Sequence, residues 1–338
     1  MIKFNFIKKL KESTKLVCLT VFVLVLGISF SYSQIVQVPD GVPDYQKTSG
    51  VSGKVISVGS DTMNNLMALW CEGFKKQYPN IQCEIEGKGS STAPPALIEG
   101  TSTIGPMSRN MKHKEIDEFE RAKGYKPTAI PTSIDTLAVF VNKDNPIECL
   151  TIEQVDEIFS KNRKCGGSED ITTWGQLGLK GGWANKPISI YGRNSASGTY
   201  GFFKKKALCK GDYKDTVKEQ PGSASVVQGI ENDLGGIGYS GIGYITAGVK
   251  VVPLAKEKDA KCAPANAENV ATGDYPLARF LYLYVNKKPN KALDLLREQF
   301  LLYVLSKPGQ EVVIKDGYLP IPADVDVKQM SIVKNETQ

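Results

Sequence analysis

The sequence predicts an α/β protein of two lobes, and three observations carry that prediction. Apolar stretches of strand type alternate along the chain with segments of helical period. The 338 residues exceed one domain of roughly 100–200, so two domains and a full-sized core are expected. Two long strand-like stretches, 136–142 (TLAVFVN) and 280–286 (FLYLYVN), stand far apart, as crossing segments between two lobes would.

The elements follow in order. Lys3, Lys8, Lys9, Lys11 and Lys15 precede an almost wholly apolar run over 16–30, and Ser31-Tyr32-Ser33 offers small residues to a signal peptidase. A run of about 15 apolar residues is short for a membrane span, so residues 1–33 read as a cleaved secretory signal rather than an anchor. Cys18, at the start of the apolar run, makes a poor lipobox. Residues 34–53, rich in Pro, Gly and Ser, read as a leader. A strand is expected over 54–58 (KVISV), then an amphipathic helix over 62–78 carried by Leu66, Leu69, Trp70 and Phe74, then a strand over 81–86.

Composition removes several function classes. With 41% hydrophobic and 23% charged residues the chain is neither disordered nor collagen-like nor a polytopic membrane protein. The single His113 excludes a site built from several imidazoles. The signal holds five basic and one acidic residue of the chain's 42 and 36, which leaves a net +2. That is no nucleic-acid-binding balance. Six cysteines remain beyond the signal: Cys71, Cys83, Cys149, Cys165, Cys209 and Cys262. An even set in an exported chain points to disulfides, and proximity suggests Cys71–Cys83, Cys149–Cys165 and Cys209–Cys262 among the 15 possible connectivities.

One junction recurs four times: a strand, then Gly and hydroxyl residues, then a helix start. It occurs at Gly59-Ser60-Asp61-Thr62, at Gly89-Ser90-Ser91-Thr92, at Met107-Ser108-Arg109, and at Gly192-Arg193-Asn194-Ser195-Ala196-Ser197-Gly198-Thr199. The first turn of a helix has N–H groups with no intrahelical acceptor and carries partial positive charge. Hydroxyls add donors there and glycine admits close approach, so such a junction suits an anion. Any one of them is explained by helix capping, worth about 1 kcal/mol. Four in one α/β chain, two with an arginine, point to an oxyanion at the strand ends. Arg193 is the sharpest residue, able to present a planar donor pair. Arg109 either touches ligand or tethers its loop; Asp61 either caps a helix or accepts a hydrogen bond from a protonated oxyanion. The glycines of 235–244 (GGIGYSGIGY) lack dinucleotide spacing and read as close backbone packing. Lys204-Lys205-Lys206 and His113 read as exposed helix positions.

The segments GSDTMNNLM, GKGSSTAP, IGPMSR, LTIEQVDEIF, ITTWGQLG, GRNSASGTYGFF, GGIGYSGIGY and YPLARFLYLYVN occur in the same order as in the PstS family, which the chain resembles over nearly all of 54–320. Those proteins are the periplasmic phosphate-binding components of ABC-type importers. The resemblance implies a type II periplasmic-binding-protein fold, with crossing hinge strands between two α/β lobes and ligand in the cleft. On that pattern 54–138 plus 277–338 form lobe one and 139–276 lobe two. It implies dehydrated inorganic phosphate held without metal or cofactor, by Ser60 and Thr62, by Ser90 with Ser91 beside it, and by Arg193, Ser197, Gly198 and Thr199. Many family members carry a carboxylate directly after the serine matching Ser108, where it accepts the ligand's proton. Here that residue is Arg109, and Asp61 is expected to take the acceptor role. The implied protein is an exported, periplasmic, monomeric binder that serves membrane permease subunits and no nucleic acid. Two rivals remain: a binder of sulfate, molybdate or tungstate, and a phosphatase-like secreted enzyme, against which no general-base His lies near the anion loops.

Overall fold

The spacing of Leu66, Trp70 and Phe74 is realised as a helix with all three side chains fully buried. The structure, a computed structural model, describes residues 36–336, so the expected signal segment and Cys18 lie outside them. Strands and helices alternate as the patterning expects. In chain order they are β1 (Gly53–Val58), α1 (Asn64–Gln77), β2 (Ile81–Glu86), α2 (Ala93–Glu99), β3 (Gly105–Met107), α3 (His113–Lys123) and β4 (Thr128–Thr136). β1 pairs in parallel with β2, and the chain before β3 bridges to Ser57. The ends of β1, β2 and β3 therefore sit side by side, each followed by one of the hydroxyl-bearing turns.

The chain then builds a second body. It contains β5 (Ala138–Asn142), β6 (Leu150–Thr151), α4 (Ile152–Phe159), β7 (Ser189–Arg193), α5 (Gly198–Lys206), β8 (Lys218–Gln220) and α6 (Ser223–Glu231). It closes with β9 (Gly236–Ser240), β10 (Val249–Val251), β11 (Leu254–Ala255) and α7 (Ala267–Ala271). Its five-stranded sheet runs in the order β10-β5-β9-β7-β8. Side chains alternate across it: Val139 and Val141 enter one apolar cluster with Phe159, Phe203 and Tyr239, and Ala138 and Phe140 the other with Val226 and Ile230. Gly238 of β9 lies against Tyr191, so a methyl group there would come within 2.6 Å of the Tyr191 carbonyl, the close packing expected of that glycine run.

The chain returns as β12 (Ala278–Val285), which inserts antiparallel between β3 and β4, and ends in α8 (Leu295–Leu305), α9 (Lys307–Lys315) and α10 (Ala323–Lys334). The first core is thus drawn from both ends: Trp70, Phe74 and Ile104 pack with Leu281, Phe300 and Val304. Each fully buried side chain of this size contributes about 1.5–3 kcal/mol. The leader is irregular but anchored, with Tyr45 donating to Gln299 Oε1 at 2.8 Å and packing on Phe74 and Tyr303.

Three expectations are corrected. The 136–142 stretch is not one strand: Thr136 ends β4, and β5 begins at Ala138 in the other sheet. The break falls at Leu137, whose N–H goes to Leu277 O at 3.1 Å, so the two crossings touch at that point. The partner of β12 is β4, read past because Pro131 interrupts its pattern, and the register shifts there between Leu281 and Tyr282. Two disulfides also differ from the proximity pairing. Cys71–Cys83 forms as expected, but Cys149 joins Cys262 and Cys165 joins Cys209. Parallel pairing of β6 with β11, and the bridge from Leu254 to Ala263, carry Cys262 to Cys149 across 113 residues. The Ser160–Tyr213 bridge brings the loop of Cys165 to the end of α5.

Candidate functional site

The four turns meet. Gly59 O accepts from Gly89 N at 2.7 Å, and Ser60 N donates to Pro106 O at 2.8 Å, which ties the first three together. Gly89 has φ +118°, a conformation L side chains rarely adopt, and a methyl group there would approach Ala196 O to 2.6 Å. Glycine is therefore required for the second and fourth turns to touch, and Ser91 N donates to Ala196 O at 3.1 Å across that contact. The first core's turns face the start of α5 directly.

Hydroxyls converge at this meeting. Thr62 Oγ1 lies 2.8 Å from Thr199 Oγ1, and Ser90 Oγ 3.3 Å from Ser108 Oγ. Ser108 N donates to Ser90 Oγ at 3.0 Å. A Cβ at Gly198 would lie 2.7 Å from Ser108 Oγ and closer still to Ser90 Oγ. Ser197 caps α5, its Oγ accepting from Thr199 N at 3.1 Å and Tyr200 N at 3.3 Å. As the helix's first residue, Gly198 has no intrahelical acceptor for its N–H. Ser60, Thr62, Ser90, Ser108, Ser197 and Thr199 are all buried.

Arg193 is 1% exposed at the end of β7. Its Nη1 lies 3.0 Å from Asp61 Oδ2 and donates to Ser223 Oγ at 2.7 Å, while Nη2 donates to Pro221 O at 3.2 Å. Burial lowers the guanidinium from its ordinary value, and the Asp61 charge opposes that shift; an arginine so paired stays cationic. Asp61 also accepts from Ser223 N at 2.7 Å through Oδ2, and its Oδ1 makes no hydrogen bond among the described residues. Among the described residues two buried polar atoms of the cluster have no partner, Arg193 Nε and Ser60 Oγ. Unpartnered buried donors cost about 1–3 kcal/mol each unless something accepts from them. What the arrangement can do chemically is bind an acceptor-rich, anionic group out of water.

Arg109 is placed otherwise. Its Nη1 and Nη2 each donate to Glu115 at 2.7 Å, with further bonds to Asn110 O and Ser91 Oγ. Its charge is neutralised by a bidentate partner, and it tethers its loop to α3. The structure brings Ser60, Asp61, Thr62, Ser90, Ser108, Arg193, Ser197, Gly198 and Thr199 together, and leaves Ser91 and Arg109 one contact removed.

Several residues escaped the sequence reading. Ser223, after Pro221-Gly222 and at the start of α6, belongs to a fifth junction of the same type. Asp135 and Arg279 form a fully buried pair beside Thr199. Their signal was a lone charge inside each apolar strand. Burial pushes the Asp135 carboxyl above its ordinary value, against the pull of Arg279.

Two lobes hinged by crossing strands, with donors gathered where they meet, define a periplasmic-binding-protein fold. The PBP superfamily domain matches residues 46–308. A Pseudomonas aeruginosa protein named phosphate-binding protein PstS is 59% identical over 296 residues, 88% of this chain and 92% of that protein. The chain belongs to the PstS phosphate-binding protein family. Solved structures agree in fold. A candidate phosphate ABC-transporter substrate-binding protein from Clostridium perfringens, with bound phosphate, is 25% identical with a TM-score of 0.67, covering 80% of this chain and all of that one. An ABC-type phosphate transport receptor from Vibrio cholerae is 22% identical with a TM-score of 0.61, covering 79% of this chain and all of that one.

Proposed function

We propose that this chain captures inorganic phosphate between its lobes and delivers it to a membrane ABC permease, binding without turnover. The observation that carries the reading is Arg193, buried with Nε unpartnered among the described residues and paired through Nη1 with Asp61 of the first anion turn. In a site drier than bulk water each charge-assisted hydrogen bond gains strength, and a compact tetrahedral oxyanion uses many of them at once. The lobes we assign are 54–138 plus 277–338 and 139–276, preceded by a leader over 34–53. The exported, periplasmic location rests on the basic-then-apolar pattern of residues 1–33. The direct ligands in this reading are Ser60, Thr62, Ser90, Ser108, Arg193, Ser197, Gly198 and Thr199. Asp61 Oδ1 is the hydrogen-bond acceptor that sulfate, with no proton to donate, could not satisfy, and Ser91 and Arg109 support the second turn.

Calorimetric titration of the mature chain, stripped of bound anion, tests this. One-to-one phosphate binding with no sulfate heat is expected. Sulfate binding, hydrolysis of a phosphomonoester, or no heat with phosphate would overturn it.

A further inference from the structure

Arg279 and Asp135 face each other in register across β12 and β4, where both strands pass toward the second lobe. Asp135 is wholly buried and Arg279 is 7% exposed. Asp135 Oδ2 accepts from Arg279 Nε at 3.0 Å and Nη2 at 2.7 Å, and Oδ1 accepts from Ile242 N at 3.1 Å, just beyond β9. The guanidinium has further partners. Nη1 donates to the Ser108 carbonyl at 2.7 Å, and Nη2 also reaches Thr199 Oγ1 at 2.9 Å. Its Cζ stands 5.0 Å from the centre of the Phe202 ring, on the same helix as Thr199.

Direction matters here. A guanidinium can only donate, so Thr199 Oγ1 must accept from Arg279 and its own proton is turned elsewhere. The other neighbour of that oxygen is Thr62 Oγ1 at 2.8 Å, inside the cluster of anion-loop hydroxyls. An unconstrained threonine hydroxyl can turn its proton in any direction; here Arg279 occupies one of the two lone pairs, so the proton points away from the guanidinium and toward the cleft. Ser108 and Thr199 stand on opposite lobes, so both bonds exist together only when the lobes meet.

We infer that the Arg279–Asp135 pair is the positioning device of the oxyanion site, fixing Thr199 as a hydroxyl that donates into the cleft and doing so only on closure. The inference rests on the reading of the cleft as an oxyanion site. It accounts for two charges buried far from water, which a purely stabilising role explains poorly, because desolvation offsets most of the attraction within a buried ion pair.

The test is a double-mutant cycle read as affinity. The stripped wild type is titrated with inorganic phosphate, sulfate and molybdate, and the anion it binds is then used with Arg279→Lys, Thr199→Val and the double variant. A lysine keeps the charge but lacks the planar fork that reaches Asp135, Ser108 and Thr199 together. Arg279→Lys should weaken binding about tenfold in the wild-type background and less than about twofold in the Thr199→Val background, while its effect on Tm is the same in both. An equal affinity loss in both backgrounds, or none in either, overturns the inference. If sulfate or molybdate is the anion bound, the phosphate reading falls and the cycle still decides the role of Arg279. Binding of none of the three overturns both. If Arg279→Lys does not fold, the neutral pair Arg279→Gln with Asp135→Asn takes its place in the cycle under the same criterion.

Discussion

Asp61 shows how one carboxylate can serve two ends. Through Oδ2 it holds Arg193 and Ser223 N across the cleft, and Oδ1 is left to accept. Asp61→Asn should therefore weaken phosphate at least about tenfold while sparing or improving sulfate, because an amide can donate to a ligand that carries no proton. An unchanged phosphate-to-sulfate ratio in competition calorimetry would refute the acceptor role. Asp326 illustrates a carboxyl with the opposite surroundings. It is wholly buried in α10, both oxygens lack partners among the described residues, and burial raises it from 3.8 to about 7. The folded chain thus holds that proton more tightly than the unfolded chain. Asp326 destabilises the fold increasingly as pH rises from about 4 to about 7, and the full cost applies above that. Asp326→Asn should gain at least about 1 kcal/mol over wild type near pH 8 and nothing near pH 4, measured by urea denaturation at both.

At the level of elements, the junctions were legible because strand, turn and helix each leave a local mark. Gly59-Ser60-Asp61-Thr62 and the run from Gly192 to Thr199 sit where the patterning puts them, and all four turns converge. What could not be read was pairing over distance. Nothing local in Pro131-Thr132-Ser133 announces a central-sheet neighbour for β12, and nothing in Asp135 or Arg279 names the other. Arg109 was ambiguous for the same reason: Glu115, six residues on, decides it, and loop geometry puts it there. The start of α5 gives a prediction of its own. A methyl group at Gly198 would strike Ser90 Oγ and Ser108 Oγ while leaving each lobe intact. Gly198→Ala should lower phosphate affinity more than about tenfold and shift Tm of the unliganded protein little, a split that thermal melting with and without phosphate would reveal. Equal affinity for variant and wild type would mean the lobes do not need to approach that closely.

Across the whole molecule, the three disulfides divide unequally. Cys71–Cys83 closes a short loop within the first lobe, whereas Cys149–Cys262 spans a separation of 113 residues. Removing the long crosslink by Cys149→Ser with Cys262→Ser should cost about 2–5 kcal/mol and lower the denaturation midpoint, more than removal of Cys71–Cys83 does. Equal losses would argue that strain or residual structure, rather than loop length, governs both. Beyond residues 1–33 the chain's net charge is only +2, which gives no long-range field to draw an anion in, so capture depends on the donors in the cleft and should respond weakly to salt.

The insertion of β12 between β3 and β4 also sets an order of events during synthesis. The strand that completes the first sheet, at residues 278–285, is made 142 residues after its neighbour β4 ends at Thr136, and Phe300 and Val304 follow it into the same core. The N-terminal segment must therefore wait, its apolar faces uncovered, until almost the entire polypeptide has emerged. On the lobe assignment proposed above, the second lobe runs unbroken over 139–276 and can close on its own during that interval. The half that begins the chain is the last to become a folded body.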